Sequence, residues 1–178
     1  MIYGLVRRHR GEGLLERVVS PDEQAELAEP ALSKILVPMK LGLIGEEMIA
    51  TAVKLAQERD SDVEALHVLR MPLSKSLDAS ADPAEEDRAV ESLEEARLLG
   101  EDHGVVVRGA TVRARSIGDA IVREAIARDV DLIVLGSAPR WRRQSRFFSP
   151  TVEYVLRNAP CEVLVVAFPD SVLAAEAT

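Results

Sequence analysis

From Gly136 to Pro150 the chain reads GSAPRWRRQSRFFSP, which places Arg140, Arg142, Arg143 and Arg146 within seven residues, directly after the apolar run DLIVLG. Guanidinium groups carry planar forks of donors that match the oxygens of phosphate or carboxylate, so the chemistry on offer is anion capture. Ser149 and Pro150 then precede TVEYVLRNA, a capping serine and a proline at the first helical position. The amides of Thr151 and Val152 would stand at the positive end of that helix, a second source of anion affinity. Trp141, in the same loop, suits either stacking on a planar base or anchoring a contact. The competing interpretation is a solvated basic loop, or a patch that meets an acidic helix of a second subunit or a membrane surface.

Groups that could do catalysis are dispersed. His9, His67 and His103 are far apart in the chain, and no histidine–cysteine spacing suggests a metal site. The carboxylates of AEEDRAVESLEEARLLGED alternate with Arg88 and Arg97, as on the exposed face of a charged helix. Cys161 is the single cysteine, which rules out an intrachain disulfide, suits a reducing compartment and fits a core position where the last strand begins. With no general base and no metal-binding carboxylate set identifiable, the expectation is a domain that is not an enzyme and holds no metal.

Composition narrows the partners. A chain of 178 residues, 47% hydrophobic and 29% charged, is long enough for one ordinary domain with modest extensions. A net charge of −8 provides no general attraction for nucleic acid, and aromatics at 3% are too few for stacking platforms. No apolar run reaches the roughly eighteen residues of a membrane span.

The elements that must position the arginine loop follow from periodicity. KILVP, DVEALHVL, VVVRGATVRA, VDLIVLG and CEVLVVAF read as strands, with Gly109 a candidate bulge. GEEMIATAVKLAQERD reads as the first helix, and Asp82, Pro83 and Glu85 form a capping start for a long charged helix that ends near Gly104. Ser116 and Asp119 cap a third helix, in which Ile117, Ile121 and Ala125 share a face. RMPLSKSLDASA is a polar connection. Five strands alternating with four helices predict an open parallel sheet with helices on both faces, the nearly continuous apolar runs LIVLG and VLVVAF being buried on both sides. Ligands of such sheets bind beyond the carboxyl ends of the strands, where strand order reverses. The candidates there are Pro38, Met39 and Lys40 after the first strand, and Gly136, Ser137, Arg140, Arg142, Arg143, Ser149, Thr151 and Val152 around the fourth. His67 and Val68 at the end of the second strand stand at the edge, with packing the default role for His67.

KILVPM, ALHVL, DLIVLGS and VEYVLRNAPCEVLVV, in that order and spacing, resemble the universal stress protein domain over residues 34–168. The closing segment, a helix ending in VLRNAPC that runs directly into VLVV, is the most specific part. The resemblance implies an adenine nucleotide alpha hydrolase-like fold of strand order 3-2-1-4-5, dimerised through the fifth strand at Val163, Leu164, Val165 and Val166, with ATP or a cyclic adenine nucleotide as candidate ligand. The family's ATP loop has the pattern G-x-x-G-x9-G-[ST]. Gly136 matches its first position, but Pro139 stands at the second glycine, and Ser149 and Pro150 stand at the final glycine and hydroxyl positions. Proline also removes a backbone donor. Lys40 replaces the acidic residue that follows the first strand in ATP-binding relatives, so the usual ATP mode is expected to be lost or weakened.

Residues 1–33 form an arm and linker, and residues 169–178 a tail. The stretch IYGLVRRHRGEGLLERVVSP is apolar and then sharply basic, and resembles the end of the last membrane helix of amino acid/polyamine/organocation permeases, some of which carry a universal stress domain at the cytoplasmic C-terminus. This implies a regulatory domain tethered to the cytoplasmic face of the membrane, with a transporter domain N-terminal to residue 1. The alternative is a free-standing cytoplasmic universal stress protein that binds ATP or another adenine nucleotide.

Overall fold

Strands that are apolar on both faces need a helical layer on each side, and the chain supplies them alternately. The computed structural model describes residues 32–39, 43–137 and 148–167. Lys40, the arginines from Arg140 to Arg146, the tail and all but Leu32 and Ser33 of the arm lie outside them. In chain order the elements are β1 (Lys34–Met39), α1 (Leu43–Arg59), β2 (Asp62–Arg70), α2 (Pro83–Asp102), β3 (Val107–Ala114), α3 (Ile117–Arg128), β4 (Leu132–Ser137), α4 (Pro150–Asn158) and β5 (Glu162–Ala167). The strands form one parallel sheet of order β3-β2-β1-β4-β5, the order that the resemblance implies.

Alternation along each strand divides the core into two layers. Ile35, Val37 and Met39 of β1 pack with Met48, Ala52 and Val53 of α1 and with Ala96 of α2. Leu36 of β1, Leu66 of β2 and Ile133 of β4 face the other way, onto Ile121 and Ala125 of α3 and Val152 and Val155 of α4. Burying a side chain such as Ile133 completely stabilises the fold by roughly 1.5–3 kcal/mol. β5 differs from the sequence expectation: Glu162, Leu164 and Ala167 are exposed within one chain and Val163, Val165 and Val166 only partly buried. The reason is topological, since among the described residues β5 is an edge strand with one neighbour, β4.

The helix ends show how local sequence sets the boundaries. Asp82 caps α2 by accepting a hydrogen bond from the Ala84 amide at 2.9 Å. Glu86, rather than Glu85, reaches back across this start, its Oε1 accepting from the Ala81 amide at 3.3 Å. At the other end Gly104 adopts φ +70°. The Gly104 amide donates to Glu101 O at 3.1 Å and the Val105 amide to Gly100 O at 2.9 Å, the paired closure of a Schellman turn, which favours glycine at the left-handed position. Ser116 and Ser149 cap α3 and α4, accepting from the amides of Asp119 and Val152. Gly109 is not a bulge, because the β2–β3 register runs unbroken through the Ala65–Gly109 pair. Its missing side chain serves packing instead: a Cβ there would lie 3.2 Å from Leu93 Cβ on α2.

Pairing also places an opening. β1 pairs with β2 as far as Met39–His67, but with β4 only through Ile35–Leu132 and Leu36–Ile133. Beyond Leu36 the ladder between the two strands ends, close to Pro38, which has no amide to donate. This is where strand order reverses, because β1 leads outward to β2 and β4 leads outward the other way.

Candidate functional site

A cleft of about 770 Å³ lies at this reversal, at the carboxyl ends of the strands. The sequence-derived residues Pro38, Met39, His67, Val68, Gly136, Ser149, Thr151 and Val152 all line it. Ser137, the ninth such residue within the described region, is buried and is not among the lining residues. Lys40, Arg140, Arg142 and Arg143 lie outside the described residues.

Several wall residues come from helix starts that the sequence reading did not connect with the site. Ile44 and Met48 of α1 and Ile117 and Ile121 of α3 give it apolar surface, while Glu85 and Arg88 of α2 and Arg70 at the end of β2 bring charge. The signal for them was available. In an alternating fold each helix starts at the edge where the preceding strand ends, so first-turn residues converge on the strands' carboxyl ends.

The helix-end anion site is narrower than the sequence suggests. The Val152 amide donates to Ser149 Oγ at 3.3 Å, so the capping serine satisfies it internally. Pro150 has no amide. The Thr151 amide, at the second helical position, is the donor without a partner among the described residues, and the dipole of α4 adds its positive end there.

His67 is half-buried in the wall, with Nδ1 2.9 Å from Ser92 Oγ. Burial lowers its pKa below the ordinary histidine value, and the nearby Glu85 carboxylate partly opposes this. Cys161 is partly buried outside the cleft, where burial first, and then Asp131 and Glu162, push its thiol pKa up, away from a reactive thiolate. No group of three or more histidine, cysteine, aspartate or glutamate side chains suited to a metal occurs among the described residues. No helix among them is long and apolar enough to cross a membrane.

Two other features lie apart from this chemistry. A groove of about 350 Å³ between α1 and α2 is lined by Glu46, Glu47 and Glu95 together with apolar side chains, and its carboxylates disfavour an anion. Toward the amino ends of the strands the buried Glu64 accepts from Arg128 Nη1 at 2.9 Å. This ion-pair cluster holds α3 against β2.

The universal stress protein family profile matches residues 32–167. A universal stress protein of Methanocaldococcus jannaschii is 26% identical over 147 residues, covering 79% of this chain and 85% of that protein. The fold is similar to that of the universal stress protein of Archaeoglobus fulgidus in complex with dAMP, at TM-score 0.58 and 19% identity, covering 75% of this chain and 96% of that one. It is likewise similar to an Arabidopsis thaliana universal stress family protein with AMP bound, at TM-score 0.58 and 14% identity, covering 78% and 94%. With the profile spanning the whole described sheet and its helices, the chain belongs to the universal stress protein family.

Proposed function

We propose that the cleft binds an adenine nucleotide and that the domain is a non-catalytic cytoplasmic sensor that reports nucleotide occupancy. The observation that carries this is the convergence of His67, Val68, Gly136, Ser149 and Thr151 on one cleft at the strand-order reversal, together with the dAMP and AMP in the two related structures. The apolar wall of Ile44, Met48, Ile117 and Ile121 suits a purine and ribose. Phosphate is gripped differently from the family's ATP loop. Pro139 and Ser149 replace two of its glycines, and the Ser149 hydroxyl takes the Val152 amide, which leaves the Thr151 amide and the arginines to hold charge. Affinity is therefore expected to depend more on the nucleoside than on phosphate number, and its phosphate part to be screened by salt over about 8–10 Å. Calorimetric titration with ATP, AMP and cyclic AMP at low and high salt tests this. Binding of all three that weakens with salt, and weakens further in Arg140→Ala/Arg142→Ala/Arg143→Ala, is the expected result. Tight, salt-insensitive binding of ATP alone, or no binding of any of the three, contradicts it.

Assembly through β5 belongs to the same proposal. Among the described residues no strand lies beside the outer backbone edge of residues 163–166, and Leu164 is 37% exposed. An uncovered apolar edge is a template for pairing with a second copy. Sedimentation should show a dimer at micromolar concentration, and Leu164→Lys should shift it to monomer. A native protein that is strictly monomeric rules out the β5 dimer.

The apolar-to-basic arm, Ile2–Arg10, favours a second reading of context: the same domain as the cytosolic tail of an amino acid permease. The coding sequence upstream of Met1 decides it. Ten or more apolar segments in frame establish the permease, and an independent start site at Met1 removes it.

A further inference from the structure

Ser92 is fully buried in the middle of α2. A buried serine inside a helix gives up the better helix propensity of alanine, so its hydroxyl needs partners. It has two. Ser92 Oγ donates its only proton to the Ala89 carbonyl at 3.0 Å, and lies 2.9 Å from His67 Nδ1. A hydroxyl that has already given its proton meets a second neighbour as an acceptor, so Nδ1 carries the hydrogen. Only one nitrogen of a neutral imidazole does so, and Nε2 is left with a lone pair. Nε2 has no hydrogen-bond partner among the described residues. His67 lines the cleft, whose wall on that side carries the apolar Met39, Met48 and Leu69 and the charged Arg70, Glu85 and Arg88, with Glu85 near enough for its charge to act on the ring. Burial lowers the ring's pKa, so the neutral form persists at neutral pH.

A lone pair held in the cleft wall selects ligands by the sign of what faces it. A carbonyl oxygen there would set two acceptors against each other, whereas an N–H satisfies both sides. We propose that His67 is a specificity-determining residue of the cleft, its Nε2 accepting a hydrogen bond from the exocyclic amine of a 6-aminopurine and thereby selecting adenine over purines that lack this donor. The inference rests on the adenine-nucleotide reading above. Ser92 is a positioning residue, which acts by fixing the tautomer.

The test is calorimetric titration of the full chain with AMP and with the ribonucleotide of unsubstituted purine, which lacks the 6-amino group, alongside long-range proton–nitrogen NMR of the His67 ring. The native protein should prefer AMP by about tenfold, the scale of one net hydrogen bond. His67→Phe keeps a planar ring but removes the acceptor, and should bring AMP down to the level of the unsubstituted nucleotide. Ser92→Ala should retain binding but reduce the preference, with the ring nitrogens showing mixed tautomers. Equal binding of the two nucleotides by the native protein, or a preference that survives His67→Phe, overturns the inference and leaves the adenine-nucleotide reading standing. Binding of neither overturns both. The NMR spectrum needs no ligand and no variant: a proton on Nε2 instead of Nδ1 in the native protein also overturns it.

Discussion

Arg128→Ala should lower the free energy of unfolding by about 2–3 kcal/mol, because it leaves most of a buried carboxylate uncompensated. The Glu64 side chain is only 9% exposed, and its Oε2 accepts from Arg128 Nη1 at 2.9 Å. Arg128 also holds Glu124 through Nε at 2.9 Å, so one guanidinium ties the end of α3 to β2. The remaining cation, Arg108, is 3.8 Å from Glu64 and bonds Asp62 more closely, so it relieves only part of the loss. An uncompensated buried charge costs more than a missing pair. The double variant Glu64→Leu/Arg128→Met should therefore recover most of the stability that Arg128→Ala loses. Denaturant unfolding checks this through the midpoint at unchanged slope. A single variant within about 0.5 kcal/mol of native, the range of ordinary surface substitutions, would show that water already solvates Glu64.

Gly100→Ala should also destabilise, by about 1–3 kcal/mol, the range for overpacking a tight site. Its sign is the informative part, since glycine to alanine within a helix ordinarily stabilises by about 0.5–1 kcal/mol. Gly100 is buried in the last turns of α2, and the Schellman turn folds the following residues back over it. An added Cβ would lie 2.7 Å from the Val105 carbonyl oxygen and 2.3 Å from Val107 Cγ2. The valine side chain can rotate, but the carbonyl is fixed by the entry into β3. Gly118 offers a contrast. Its added Cβ would meet Tyr154 Cδ1 at 3.0 Å and Cβ at 3.1 Å, contacts with the side chain of a 39% exposed residue and with no backbone atom. Gly118→Ala should cost less than Gly100→Ala under the same denaturant. The reverse order would mean that the α2–β3 turn relaxes more readily than its hydrogen bonds imply.

The alternation of apolar strands and capped helices was legible in the sequence because each signal is local. Ser149 before Pro150, Asp82 before Pro83 and the run LIVLG specify their elements with little help from the rest of the chain. The strand order came from the resemblance, as periodicity does not say which parallel neighbours pair. The cleft was legible where strands end, at Pro38, His67 and Gly136, and at the start of α4, at Ser149 and Thr151, but not on the other three helices, at Ile44, Arg88 and Ile117, because those residues become neighbours only through tertiary packing. Glu64 shows the same limit. In DVEALHVL it reads as an ordinary polar position of a strand, and only the packing of α3 against β2 shows that it is buried against Arg128. The Val152 amide failed in the opposite direction, since the cap that marks the helix start is also what uses up the donor.

Adenine-nucleotide binding at the strand-order reversal is tested most directly by backbone amide chemical shifts recorded while AMP is titrated into the isotopically labelled protein. Saturable shifts concentrated at Met39, His67, Val68, Gly136 and Thr151, all in the cleft wall, are the result expected. Shifts confined to the amino-end cluster around Glu64 and Arg128 or to the groove at Glu46 and Glu95, or no saturable shifts at millimolar AMP, would contradict it.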